Sequence, residues 1–239
     1  MVSVVPTLAA MADIYRLPRA GGPNSPRFTA YHARVAATHG LSAYNPMAGP
    51  HALEAVEALL ALDAEAMAAA VATEILARLE YHGHVTLAVV VASPGMWTDR
   101  IATDIGHRTL DVGAAHHGLV MQWARESITA TSVRNATIAE TVRVVHTAQH
   151  GAARAVHAVL EREGRALAMG DATFARLNAA EQQAVEEAFE IIGDSANLAD
   201  IVAIAFGDDA ARTLGYPPLG LPLDAGVRWA AMRSGLPSA

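Results

Sequence analysis

Apolar side chains return at every third or fourth position over a long stretch near the start of the chain. This spacing, between residues 51 and 81, is the period of an amphipathic helix. The apolar positions are Leu53, Val56, Leu59, Leu60, Met67, Val71, Ile75 and Leu79. The pattern predicts either one long helix or two shorter helices that meet near Asp63.

The pattern changes at HVTLAVVVA, residues 84–92, a β-branched run without polar alternation. Such a run predicts a strand buried on both faces, inside a sheet that helices cover. Weaker strand candidates lie at residues 119–123 and 128–133. We therefore expect an α+β or α/β fold, predominantly helical, with a single domain and a small sheet centred on the buried strand at 84–92.

Further helices are predicted from caps and stop signals. The segment 178–181, NAAE, is close to a capping box and predicts a helix that ends at Gly193. The other predicted helices cover residues 27–38, a stretch after Thr98, residues 135–163 up to Gly164, and a short stretch from Asp208. Residues 195–206 fit either a helix that begins at Ser195 or a strand at residues 201–206, and YPPLGLPLDAG, residues 216–226, is expected to be an extended tail.

The first ten residues contain an apolar run that Pro6 interrupts, and Met11 follows them. They are expected to be either a disordered arm or a start-site extension, before a single globular domain at 11–239. No basic leader precedes the apolar run and no stretch of 18 consecutive apolar residues occurs. We therefore expect a cytoplasmic protein without a membrane partner.

Composition excludes several classes of function. The 239 residues are 52% hydrophobic and 17% charged with a net charge of −7, which is typical of a globular protein and argues against a nucleic-acid partner. No cysteine is present, which excludes zinc ribbons, iron–sulfur clusters and thiol nucleophiles. All 17 basic residues are arginine, which excludes Schiff-base chemistry and a Walker lysine.

The segment 146–157, HTAQHGAARAVH, is the first candidate site. On one continuous helix its three histidines would share a face with Arg143 and Arg154. His146 and His150, four residues apart, could bind one divalent metal, whereas His157 would lie roughly 10 Å further along the axis. The two arginines would instead favour an anionic ligand. The alternatives are therefore a solvated face of a histidine-rich helix, an anion site or a metal site.

The loop SPGMWTDR, residues 93–100, is the second candidate, because ligands of open α/β sheets bind beyond the carboxyl ends of strands. In the functional interpretation Ser93, Thr98 and Arg100 bind the ligand and Asp99 is catalytic. In the structural interpretation Thr98 caps the following helix, Asp99 interacts with the helix dipole, and Trp97 packs against it.

Asp104 and His107 are a third candidate, since positions i and i+3 share one helix face. Such a pair can orient His107 as a catalytic acid or base, although a surface hydrogen bond is the commoner outcome. Convergence of His107, His146 and His150 near Asp99 or Asp104 would support the enzyme hypothesis, whereas histidines scattered over the surface would weaken it.

Two classes of function remain. The first is a small-molecule enzyme, hydrolase-like and metal-assisted if the histidines bind a metal, that acts on an anionic or polar substrate. The second is a non-catalytic helical module that binds a ligand or a partner. Large apolar helices in a chain of this length are also compatible with a homodimer.

Overall fold

A three-stranded parallel sheet forms around the hydrophobic run at 84–92. The computed structural model describes residues 1–19, 25–36, 45–93, 100–109, 117–170 and 174–234. Strand β2 (Val85–Ala92) lies between β1 (Val2–Val5) and β3 (His117–Trp123), and both pairings are parallel. Every residue of β2 except Thr86 is buried, as expected for a strand covered on both faces. The predicted fold class is confirmed: a predominantly helical α/β fold with a small sheet centred on this strand.

Helices make up most of the remaining described residues. They are α1 (Leu8–Arg16), α2 (Pro26–Tyr31) with a π-helical turn (His32–Ala36), α3 (Pro50–Ala61), α4 (Ala64–Arg78), α5 (Arg100–Thr109), α6 (Ala130–His150), α7 (Val156–Gly170), α8 (Ala179–Ile192), α9 (Leu198–Phe206), α10 (Asp208–Thr213) and α11 (Ala225–Arg233). The chain forms two compact units, one from residues 1–95 with 116–141 and the other from 96–115 with 142–239.

The first ten residues include the edge strand β1, paired from Val2 opposite Val85 to Val5 opposite Ala88. The backbone N–H groups of Thr7 and Leu8 then donate to one carboxylate oxygen of Glu65, at 2.7 and 2.9 Å. A carboxylate that accepts the first N–H groups of a helix satisfies donors that have no partner within the helix. The segment considered above as an arm is therefore tied at the sheet and at the start of α1.

Several predicted helices are confirmed. The long apolar stretch is two helices, α3 and α4, separated at Asp63, whose φ of 49° cannot continue a helix. Asn178 and Glu181 form the predicted capping box at the start of α8. Residues 198–206 form helix α9. The helix predicted at 27–38 begins at Pro26, but its α-helical part ends at Tyr31, where a π-helical turn follows.

The strand candidate at 128–133 is wrong, because Ala130 begins α6. Thr129 and Ser132 exchange hydrogen bonds between each hydroxyl and the other's backbone N–H, both at 3.0 Å. This reciprocal cap starts a helix despite the β-branched residues. The extended tail predicted at residues 216–226 also differs from the structure, because helix α11 begins at Ala225.

The helix predicted at 135–163 is wrong as well, because it is two helices with a break at Gly151. Gly151 has a φ of 80°, a left-handed conformation that suits glycine and ends α6. Helix α7 begins five residues later, and its backbone N–H groups at Val156 and His157 donate to the carbonyls of Ser195 and Gly193. The three histidines of segment 146–157 therefore do not share one helix.

The core of the second unit lies between α7, α9 and α11. Its buried members include Val156, Val159, Leu160, Ile201, Val202, Ile204, Ala205, Phe206 and Val227. Gly164, expected to end a helix, lies inside α7, where a Cβ would stand only 2.6 Å from the Cβ of Ala230 and 2.8 Å from its carbonyl carbon. The missing side chain therefore lets α7 and α11 approach closely.

We predict opposite effects for two glycine-to-alanine substitutions in helices. Gly164→Ala should destabilise the protein by about 1–3 kcal/mol, because the added methyl group overpacks the contact with α11. Gly106→Ala should stabilise it by about 0.5–1 kcal/mol, because nothing lies within 4 Å of the new Cβ and alanine favours helix. Urea denaturation of both variants measures the difference, and two changes of the same sign would contradict the close approach of α7 and α11.

Candidate functional site: a pocket between three helices

A buried carboxylate, that of Glu163, organises the second unit. Its side chain is fully buried on α7 and accepts hydrogen bonds from Arg108 at 2.9 Å, from Arg143 at 3.1 Å and from Arg162 at 3.1 Å. Burial alone would raise the pKa of this carboxyl group, but the three guanidinium groups outweigh burial and hold the pKa well below its usual range. Glu163 is therefore ionised and fully committed to these contacts.

Arg108 extends the cluster to two further carboxylates. Its Nη1 atom lies 3.3 Å from Asp104 and 3.3 Å from Asp224, and its guanidinium carbon lies 4.4 Å above the ring of Phe206. Burial lowers the pKa of Arg108, but Glu163, Asp104 and Asp224 raise it by more, so the group stays charged. Three guanidinium groups and three carboxylates pair in this cluster, so its charges compensate one another.

A pocket of about 290 Å³ lies elsewhere in the same unit, between α7, α8 and α11. Its lining residues are His157, Leu160, Glu161 and Arg165 of α7, Phe189 of α8, Trp229, Ala230 and Arg233 of α11, and Ser234. The α7 residues fall at positions i, i+3, i+4 and i+8, which share one face of a helix. Glu163 points away from this face, so the buried cluster and the pocket use different sides of α7.

Aromatic rings form one part of the pocket. The rings of Phe189 and Trp229 lie 5.3 Å apart, and the guanidinium carbon of Arg233 lies 4.8 Å from the centre of the Trp229 ring. Glu186 accepts from both Trp229 Nε1, at 3.2 Å, and Arg233 Nη1, at 3.0 Å. The contacts fix the tryptophan and hold the guanidinium of Arg233 over its ring.

Charged groups of α7 form another part of the pocket. Arg165 Nη2 lies 2.9 Å from Glu161 Oε1, an exposed pair four residues apart. His157 Nδ1 lies 3.2 Å from the carbonyl oxygen of Gly193 and 3.5 Å from the carboxylate of Asp194. If Nδ1 of His157 carries the ring proton and donates it to the carbonyl oxygen of Gly193, Nε2 is left as a hydrogen-bond acceptor.

His146 is buried next to the Glu161–Arg165 pair. Only 4% of its side chain is exposed, and neither ring nitrogen has a hydrogen-bond partner among the described residues. Nε2 lies 3.9 Å from Glu161 Oε1, too far for a hydrogen bond. Burial and the neighbouring ring of His150 lower the pKa of His146 to about 4, against the opposing effect of Glu161. The imidazole is therefore neutral at pH 7.

The structure places the histidine-segment candidates in different environments. The rings of His146 and His150 are in contact, with centres 4.7 Å apart, but His146 is buried and not on a solvated face. Arg143 contacts Glu163, and Arg154 is exposed on the segment between α6 and α7. Within the described ranges, no group of three or more histidines or carboxylates is placed to hold a metal ion. His146 and His150 as metal ligands, and Arg143 and Arg154 as anion ligands, remain predictions.

The loop candidates are only partly described. Ser93 follows β2 and is half-buried, and Arg100 is the exposed first residue of α5. Thr98 and Asp99 lie outside the described residues, so their predicted roles remain predictions. Of the predicted strand, loop and helix, the strand is present as β2 and the helix as α5.

The third candidate lies on α5. His107 is half-buried there, and its neighbour Asp104 contacts Arg108, so this carboxylate contributes to the buried cluster around Glu163. A catalytic role for His107 remains a prediction.

Sequence reasoning missed the residues that shape the pocket. Trp229 and Arg233 stand four residues apart in GVRWAAMR, residues 226–233, an arrangement that favours contact on one helix face. The signal was present, but it lay beyond a proline-rich segment and was not recognised as helical. Arg165 and Phe189 lie far from this segment in sequence, and only the packing of α7 and α8 against α11 brings them to one pocket.

Comparison with protein-family models, with curated proteins and with solved structures finds no match to this chain. Over the described part of the chain, no helix combines the length and the apolar character needed to span a membrane. Function is therefore inferred from the geometry of the pocket.

Replacing Glu163 should cost far more stability than replacing its neighbour on the same helix. Glu163→Gln removes the buried anion that three arginines surround, which should lower the free energy of unfolding by about 3–5 kcal/mol. The matched control Glu161→Gln breaks an exposed pair and should cost about 0–1 kcal/mol. Urea denaturation at pH 7 measures both, and equal losses would show that Glu163 does not hold the cluster together.

His146 should make stability depend on pH between about 6.5 and about 4. Its pKa is lowered in the folded state, so the unfolded state takes up the proton first and stability falls as pH decreases through this window. The loss due to His146 should reach about 2–3 kcal/mol and should disappear in His146→Leu. Urea denaturation of the wild type and of His146→Leu from pH 7 to pH 4 checks this, and a wild-type slope that persists in His146→Leu would contradict it.

Proposed function

We propose that this protein binds a small organic anion with a planar body in the pocket between α7, α8 and α11. This is the second of the two classes of function considered from the sequence, a ligand-binding module. The observation that carries it is the convergence of two guanidinium groups, those of Arg165 and Arg233, with the aromatic rings of Trp229 and Phe189 in one pocket.

The two arginines can exchange their present partners for a ligand. Arg165 and Glu161 are 45% and 51% exposed, and Arg233 and Glu186 are 63% and 47% exposed. Exposed ion pairs of this kind contribute little to stability, so replacing a side-chain carboxylate by a ligand anion costs little. The planar guanidinium group matches carboxylate, sulfonate and phosphate groups with two parallel hydrogen bonds.

The aromatic part of the pocket favours a planar ligand body. A ring placed against Trp229 and Phe189 gains stacking and dispersion energy beyond the burial of its apolar area. The pocket volume of about 290 Å³ lies at the small end of the range for ligand sites, which indicates a ligand of one ring.

A hydrolase-like enzyme is the second candidate, and one observation favours it. His157 and Glu161 line the same pocket, and the contact of His157 Nδ1 with the Gly193 carbonyl oxygen, at 3.2 Å, would leave Nε2 free to act as a base. The metal-assisted form of this hypothesis requires His146 and His150 as ligands, and within the described residues no third histidine or carboxylate completes a metal site with them. Binding of an anionic substrate by Arg165 and Arg233 is common to both candidates.

Calorimetry with simple aromatic anions tests the proposed function. Benzoate and benzenesulfonate should bind at pH 7, whereas neutral benzamide should bind at least about tenfold more weakly, because it offers no charge to the guanidinium groups. Arg165→Met and Arg233→Met should each weaken benzenesulfonate binding by about tenfold or more, since methionine keeps an apolar stem and removes the charge.

Arg134→Met is the matched control for these variants. Arg134 is an exposed arginine paired with Glu74 at 3.1 Å and lies outside the pocket lining, so its replacement should leave binding unchanged. Equal binding of benzamide and benzenesulfonate, or equal losses in the control and the pocket variants, would overturn the proposal.

A further inference from the structure

We propose that Glu161 is shared between Arg165 and His146, so that an anion bound at Arg165 releases Glu161 to His146 and the protein takes up a proton together with its ligand. The ligand-dependent part of this inference rests on the proposed function. The sharing of Glu161 itself is a property of the ligand-free protein and can be tested without any ligand.

The carboxylate of Glu161 lies between the guanidinium group of Arg165 and the imidazole ring of His146. Glu161 Oε1 lies 2.9 Å from Arg165 Nη2 and 3.9 Å from His146 Nε2. Because the Glu161 side chain is 51% exposed, it can change rotamer, and a shift of about 1 Å would bring it within hydrogen-bond distance of His146. The present arrangement satisfies Arg165 and leaves the imidazole without a partner among the described residues.

The charges that face His146 explain why Glu161 decides its protonation. His150 lies on the same helix, and Arg162 and Arg165 lie on α7; all three oppose a positive charge on the imidazole. Arg162 is already held by Glu163 and by the carbonyl oxygen of Arg108. Glu161 is the anion that favours a protonated His146, and Arg165 competes for it.

Occupation of Arg165 by an external anion changes this competition. The ligand takes the place of Glu161 on the guanidinium group, and the freed carboxylate turns towards His146. Nε2 of His146 then accepts a proton from solvent, and the new N–H donates to Glu161. One monoanion and one proton enter together, so the complex keeps the net charge of the free protein.

The ligand-free test follows the imidazole of His146 by NMR as a function of pH. Arg165→Met removes the competitor, so the pKa of His146 should rise by at least about one unit from its wild-type value. In the double variant Arg165→Met with Glu161→Gln the pKa should fall back, because no carboxylate remains to stabilise the charged ring. Arg233→Met, the control for loss of a pocket arginine, should leave the His146 titration unchanged.

Two results of this titration would overturn the inference. The first is a His146 pKa in Arg165→Met equal to that of the wild type. The second is a rise that persists in the double variant, which would show that only the charge of Arg165 acts on the imidazole. If the wild type unfolds on acidification before His146 is protonated, the pH of unfolding is an upper limit for the wild-type pKa of His146. A His146 pKa above that limit, measured in folded Arg165→Met, still shows the expected rise.

The ligand-dependent test measures proton uptake with benzenesulfonate, which stays ionised over the whole pH range. Calorimetry at pH 5.5 in two buffers of different ionisation heat gives the number of protons bound with the ligand. Uptake should be greatest at a pH between the His146 pKa values of the free and the ligand-bound protein, should fall on either side of it, and should vanish in His146→Leu and in Glu161→Gln. Binding without proton uptake would overturn the coupling and leave the proposed function intact, whereas absence of binding would overturn the proposed function and leave the titration to decide whether Glu161 is shared.

Discussion

The buried carboxylate of Glu163 is the interaction on which the rest of the second unit depends. A charge without solvent is costly, and three arginines from α5, α6 and α7 compensate it only if these helices keep their positions. The cluster thereby fixes the rotation of α7 about its axis. That rotation directs the opposite face of the helix, with Glu161 and Arg165, to the pocket.

Glu161 and Glu163 on α7 differ in burial, and this difference gives the two carboxylates different electrostatic roles. Glu163 is fully buried and held by several guanidinium groups, so it contributes to the structure and cannot respond to a ligand. Glu161, two residues earlier and half-exposed, pairs with the guanidinium group of Arg165 and has the imidazole of His146 within reach. Positions two apart on a helix point in directions about 200° apart, so the same residue type meets two different environments.

Features that depend on local sequence were predictable, and features that depend on packing were not. The buried run of β2 and the capping box at Asn178 carry their signal within a few residues. The break at Gly151 was not recognised, because a helical hydrophobic pattern continues across it and one glycine is often tolerated inside a helix. The burial of His146 depends on which side of α6 is covered, and this is decided by elements distant in the sequence.

The pocket has no sequence motif because its chemistry comes from segments that are distant along the chain. Arg165 stands on α7 and Arg233 on α11, and these helices approach closely because Gly164 has no side chain at their contact. On α6, His146 is buried with neither ring nitrogen partnered among the described residues, which is costly for a buried polar group. In the proposed exchange, Glu161 turns to this imidazole and accepts a hydrogen bond from Nε2 once the ring is protonated. In the proposed exchange, an anion bound at Arg165 therefore strengthens the binding of a proton at His146, which burial and the neighbouring ring of His150 otherwise weaken.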